Sequence, residues 1–404
     1  MRRFFKWVLI VLVVVLLALA VNAFIVNGEV QPATADIGRI LDLPGPDLQV
    51  KELGPRDAPA IVLVHCYTCS MKWWEPDAQI LSQDHRVIMV DLIGHGGSEK
   101  PRTGYDMPTQ ARQVWLALDK LGVDKALLVG HSMGALVVTE MTVEQPDRVD
   151  GLVAIGSSAE PGGGELPLTA RLGYVPLIGQ AIKRLVPDSV VRGALASAFA
   201  PGYAVPDFAI QDFRRMTYSG YQQAAARDSD YLAEKSVPDR LGAVDVPIMY
   251  IQGDQDQLVD PAKAKEGWGS ISGARVESLP GSGHSPELEN PDETAALIED
   301  FGSGVQAAVK PDAKPAPKKP DPKGKGGKPA PEKQPSKTNQ SKGGSSDKDQ
   351  KNGGSKGGGK KDAGGKGGSS GKDQKNGGGK SAGGKKDARG KDKGGQKDSG
   401  SKKK

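Results

Sequence analysis

The chain has 404 residues, with 54 Lys and Arg against 49 Asp and Glu, a formal +5 that hides two opposed segments. From Lys310 onward there are 28 basic and 10 acidic residues, which leaves 26 basic and 39 acidic before it, and no aromatic residue follows Phe301. A segment of that composition cannot bury a core, so one folded domain of about 270 residues is expected; two cysteines exclude a disulfide scaffold and a four-cysteine zinc site.

The first element is an apolar run from Trp7 to Val26, broken only by Asn22 and preceded by Arg2, Arg3 and Lys6. Its length suits a helix crossing a bilayer. The basic flank makes residues 1–30 a membrane anchor with everything beyond it outside the cytoplasm. Ala18-Leu19-Ala20 and Val21-Asn22-Ala23 would also suit a signal peptidase, which would make the protein secreted. Both readings predict export.

Short apolar runs then predict strands at Ala60–Val64, Arg86–Leu92, Ala126–Gly130, Gly151–Gly156, Pro247–Gln252 and Ala274–Leu279. Nearly continuous apolar strands are those of a parallel sheet covered on both faces. Between them Ala111, Val114, Trp115 and Leu118 share one helical face, as do Thr294, Leu297, Ile298 and Phe301, and Asn290-Pro291 with Glu293 marks the start of the last helix. Strands alternating with helices give an α/β fold with a mostly parallel sheet. The alternation stops from Ser158 to Asp245, where Gly162-Gly163-Gly164 is followed by helical patterns at Leu177–Val186 and Asp207–Tyr218. That stretch, about 159–244, reads as a helical lid.

The chemistry begins at Gly130-His131-Ser132-Met133-Gly134, set between a buried strand and a helical pattern. In a strand–turn–helix context G-x-S-x-G presents a serine hydroxyl on a strained turn, with the helix start behind it to receive an oxyanion. A serine needs a base, and His284 follows the last strand in a Gly-Ser-Gly-His loop. A carboxylate must orient that imidazole, and Asp256 lies just past the strand ending at Gln252, with Asp254 as its competitor. The order Ser132, Asp256, His284 is nucleophile, acid, histidine.

Together with Gly253 to Val259 read as G-x-x-D-x-x-V, Gly283-His284, and Asp91 to Ser98, these motifs resemble the α/β-hydrolase superfamily over about residues 37–303. The resemblance implies a mostly parallel eight-stranded sheet flanked by helices, with a helical lid after the sixth strand, over residues 31–303. It also implies an oxyanion hole from the Tyr67 and Met133 N–H groups, although Val64-His65-Cys66-Tyr67 carries cysteine where relatives have glycine. Trp73 and Trp74 are candidates for lining an acyl pocket, and His65 for bracing the oxyanion turn. Cys66 and Cys69 are read either as a small disulfide or as two buried thiols.

The expected activity is hydrolysis of a carboxylic ester of a small or lipid-like substrate through an acyl-enzyme on Ser132, with no metal or organic cofactor implied. Carbon–carbon bond hydrolysis and cofactor-free haloperoxidase-like chemistry use the same residues. A non-catalytic surface-binding protein is the alternative of another class. Residues 304–404 read as a disordered Lys/Gly-rich tail, in which Lys348-Asp349-Gln350-Lys351-Asn352-Gly353-Gly354 recurs from Lys372. Such a tail is either a spacer or a tether to anionic lipid or wall polymer; without stacking aromatics it is a poor ligand for nucleic acid.

Overall fold

In a computed structural model of the chain, residues 1–162 and 171–309 are described. Gly163, Gly164 and the basic tail from residue 310 lie outside them.

The strands are β1 (Arg39–Leu41), β2 (Leu48–Leu53), β3 (Ala60–Val64), β4 (Arg86–Val90), β5 (Ala126–His131), β6 (Val149–Ile155), β7 (Ile248–Gly253) and β8 (Arg275–Leu279). They form one eight-stranded sheet in the order β1-β2-β4-β3-β5-β6-β7-β8. β2 runs antiparallel to both of its neighbours, and all other pairs are parallel. The six strands expected from apolar runs are all present, within two residues at either end. β1 and β2 carry no such run: Arg39-Ile40-Leu41 is too short to show a period, and Lys51 and Glu52 interrupt the second half of β2.

Every residue of β3 is buried, because its side chains alternate between two cores. Val62 and Val64 pack with Val114 and Leu118 of a helix at Met107–Leu121 and with Val137 and Met141 of another at Met133–Glu144. Ile61 and Leu63 pack on the other face with Ala78 and Leu81 of Glu75–Leu81 and with Ile298 and Phe301 of the last helix, Pro291–Val309. Helices therefore cover both faces of the sheet. Asn290 directly precedes the last helix and its carbonyl accepts from Thr294 N–H at 3.0 Å, while its side-chain amide donates to Ser282 Oγ. Residues 304–309, expected in the tail, continue this helix.

Between β6 and β7 the described residues carry helices at Ile178–Leu185, Asp188–Leu195, Asp207–Arg215, Tyr218–Glu234 and Val237–Leu241. The helical pattern expected over Asp207–Tyr218 is broken at Met216 and Thr217; the Thr217 side chain caps a separate, longer helix by accepting from Gly220 N–H. At the other end of the chain, helix Arg2–Asn27 is long and apolar enough to cross a membrane, as an anchor or a signal segment would be.

Candidate active site

Three loops at the carboxyl ends of β5, β7 and β8 converge, the place where open α/β sheets build sites. At the end of β5, Ser132 takes φ 53° and ψ −117°, a conformation that L residues seldom adopt. Its N–H donates to Ile155 O at 2.8 Å and its carbonyl accepts from Ala135 N–H at 2.9 Å, so the turn is fixed on both sides. The two flanking glycines are steric requirements. A Cβ on Gly130 would lie 2.3 Å from Gly134 O, and one on Gly134 would lie 2.4 Å from Val64 O.

Beyond β7, Asp256 Oδ1 accepts from the N–H groups of Leu258 (2.8 Å) and Val259 (3.0 Å), and Oδ2 accepts from Gln252 Nε2 (3.0 Å). The same Oδ2 lies 2.9 Å from His284 Nδ1. Of the two candidate carboxylates, Asp256 meets the imidazole; Asp254 instead accepts from Gly281 N–H at 2.8 Å. The two loops can meet because Gly253 lacks a side chain: a Cβ there would sit 1.9 Å from Gly283 O.

Burial works against the charged form of His284, but the Asp256 carboxylate beside it, with Glu287 and Glu289 behind, raises the imidazole above its ordinary value. For Asp256 burial works upward; His284 and the Leu258 and Val259 N–H groups outweigh it and hold the carboxyl below the usual range. The pair is thus built for an ionised carboxylate and an imidazole with heightened proton affinity.

Ser132 and His284 line one cavity of about 280 Å³ beneath the lid. Among the described residues no direct hydrogen bond joins them; catalytic hydrogen bonds of this kind often tighten only in the complex with substrate. Tyr67 lines the same cavity. Its N–H has no protein acceptor among the described residues, and Met133 is the first residue of its helix, where N–H groups lack intrahelical partners. A hydroxyl, an imidazole held by a carboxylate, and two such N–H groups can perform nucleophilic attack with proton transfer and oxyanion stabilisation.

The turn carrying Tyr67 is closed by a Cys66–Cys69 disulfide with a Cα–Cα distance of 5.3 Å. His65 spans the turn, with Nδ1 2.8 Å from Cys66 O while Nε2 accepts from Leu92 N–H at 3.0 Å. His131 Nε2 lies 2.7 Å from His284 O, and its Nδ1 is 2.8 Å from Glu287 Oε1 without the alignment of a hydrogen bond. It braces the loop of His284 from behind. His95 is fully buried, with Nδ1 3.0 Å from Ile93 O.

Trp73 and Trp74 do not line the cavity. Trp74 is buried in the core with Ile61 and Leu63, and Trp73 stacks on Phe199 of the lid at 5.6 Å, beside the disulfide. Large aromatics fill whichever space excludes water best, and here that is the joint between lid and core. The cavity's polar wall comes from the lid, where Tyr174 and Asp228 face the site. Burial raises the Asp228 carboxyl, which His284 pulls back, to about 6. Nothing in the sequence marks these two residues, because lid helices carry no motif and only tertiary packing decides which side chains point inward.

Residues 59–291 match the alpha/beta hydrolase fold family. The chain belongs to that family. A non-heme chloroperoxidase of Streptomyces lividans is 28% identical over 272 residues, covering 63% of this chain and 98% of that protein. A bifunctional esterase/perhydrolase of Acinetobacter calcoaceticus is 28% identical over 265 residues, 61% of this chain and 93% of that one. Among solved structures, a bacterial membrane phospholipase A aligns with a TM-score of 0.55 at 22% identity, over 76% of this chain and 99% of that one. With family and relatives alike, this alpha/beta hydrolase fold protein is a hydrolase.

Proposed function

We propose that the protein is an exported, membrane-anchored serine hydrolase that cleaves a carboxylic ester of a small or lipid-like substrate. The observation that carries this reading is the 2.9 Å contact between His284 Nδ1 and Asp256 Oδ2 at the edge of the cavity that Ser132 lines. Ser132 attacks the ester carbonyl as His284 takes its proton, and Asp256 holds the imidazole in the tautomer that leaves Nε2 free to accept. The Tyr67 and Met133 N–H groups receive the tetrahedral oxyanion. The alcohol leaves with the proton from His284, and water activated by the same imidazole then hydrolyses the acyl-serine. The helix Arg2–Asn27 supports the membrane assignment by its length and apolarity.

The test is turnover of p-nitrophenyl esters of graded acyl length by wild type and Ser132→Ala. Wild type should turn over, and the variant should lose on the order of 10⁴-fold in kcat/KM. Equal rates, or none from a folded wild type, would remove ester hydrolysis from consideration. The esterase/perhydrolase relative favours a second reading, in which hydrogen peroxide replaces water at the acyl-serine and releases a peracid. Adding peroxide to the same assay decides it, since peracid should form at the expense of acid.

A further inference from the structure

One helix of the lid is inside out. An amphipathic helix ordinarily buries its apolar stripe and wets its polar one. In Ile178–Leu185 the buried side chains include Gln180 and Lys183, while Ile178 is 44% and Leu185 75% exposed. The inward donors find partners: Gln180 Nε2 donates to Asn27 Oδ1 at 3.1 Å, and Lys183 Nζ donates to Arg214 O at 3.4 Å while lying 4.4 Å from the centre of the Phe213 ring, whereas Gln180 Oε1 is buried without a partner among the described residues. The outward apolar side chains of this helix have little protein cover. Leu172, Val175 and Val190 extend the same exposed set. Beyond residue 30, every exposed large apolar side chain among the described residues belongs to the lid.

The position of this surface identifies what covers it. Helix Arg2–Asn27 leaves most of its length exposed and buries Ala23 and Val26. Around them, Asn22 Oδ1 accepts from Arg184 Nη1 at 3.2 Å, and Asn27 O accepts from Ser219 Oγ at 3.3 Å. The end of the apolar helix thus rests directly on the lid. If residues 7–26 span the hydrocarbon, the lid lies at the level where the chain leaves it.

We propose that the outward face of Leu172–Val190 is a bilayer-docking surface, seated in the outer part of the leaflet from which Arg2–Asn27 emerges. Ile178, Leu185 and Val190 insert below the headgroups, and Arg184 stays at the interface, as in helices that lie in the membrane plane. An exposed apolar set of this kind is otherwise a cost in water. Leu172 and Val175 flank Tyr174, which lines the cavity over Ser132, so the roof of the site has its other side in lipid. Within the proposed function, on which this last step rests, the substrate class becomes an acyl ester drawn from the bilayer.

The test uses the full chain in phosphatidylcholine nanodiscs. Leu185→Cys and Val190→Cys, both exposed, are labelled with an environment-sensitive fluorophore; Cys66 and Cys69 are paired and buried. Val15→Cys reports the anchor, and Arg56→Cys, exposed before β3 at the far end of the sheet, reports water. Labels at 185 and 190 should be quenched by bromines on the lipid chains, as at 15, while the label at 56 responds only to aqueous iodide. Lipid quenching at 15 with iodide quenching at 185 would overturn the docking surface alone. Protection from both quenchers at 185 would mean that protein, such as a second copy, covers the face, and would also overturn it. No lipid quenching at 15 would remove the anchor and this surface together. Ester turnover is read separately, so the chemistry stands or falls on its own assay.

Discussion

At the scale of single residues, the Asp256–His284 contact fixes the direction of the pH response. A general base must be neutral, so kcat/KM should fall as pH drops through the His284 pKa, which lies above the ordinary 6.5. Asp256→Asn removes the charge that raises it. The acid limb should therefore move to lower pH, and kcat should fall by about 10⁴-fold with KM nearly unchanged; an unmoved limb in the pH–rate profile would assign the raised proton affinity to Glu287 and Glu289 instead. Ser132, Asp256 and His284 were legible because each follows a strand end and sits among glycines that its turn requires. Trp73 and Trp74 were misplaced because a pair of aromatics after a turn looks the same in sequence whether it faces a cavity or a core.

At the scale of elements, two devices hold the Tyr67 turn and the lid. The Cys66–Cys69 disulfide encloses Tyr67 and Thr68, the latter at φ 62°, and so holds a left-handed turn at a residue other than glycine. Replacing both cysteines with alanine should lower kcat more than it raises KM, while costing only about 2 kcal/mol of stability for so short a loop; kinetics beside thermal unfolding would separate the two effects. The lid is latched by Asp212, buried among Ser70 Oγ (2.7 Å) and Trp73 Nε1 (3.1 Å), both donating to its Oδ2. Burial raises this carboxyl from 3.8 to about 7. Between those values the folded protein keeps a proton that the unfolded chain has released, so stability falls as pH rises through the window. Asp212→Asn keeps an acceptor and loses the charge, and should raise Tm near pH 8 with a gain that vanishes toward about pH 4. Strands β3 to β7 were legible because each is a short run buried along its whole length or nearly so. β1 and β2 were not, since Arg39-Ile40-Leu41 is too short to show a period and Lys51 and Glu52 interrupt the second half of β2.

At the scale of the whole molecule, opposed charges separate the acidic first 309 residues from the +18 that follows. If the tail is a tether, deleting residues 310–404 should abolish salt-sensitive binding to anionic vesicles and leave ester turnover intact; vesicle binding that survives the deletion would assign it to the lid and anchor. The lid's membership in the site goes deeper than roofing it. Tyr67 Oη donates to Tyr221 O at 2.6 Å and lies 3.0 Å from Tyr174 Oη, so a residue that lines the cavity is tied through its hydroxyl to two lid segments. A lid that swings away must either break this tie or carry Tyr67 with it. On the proposed mechanism, a lid that opened with Tyr67 still attached would carry that residue's N–H away from the oxyanion, so the motion that admits a substrate would also disarm the site.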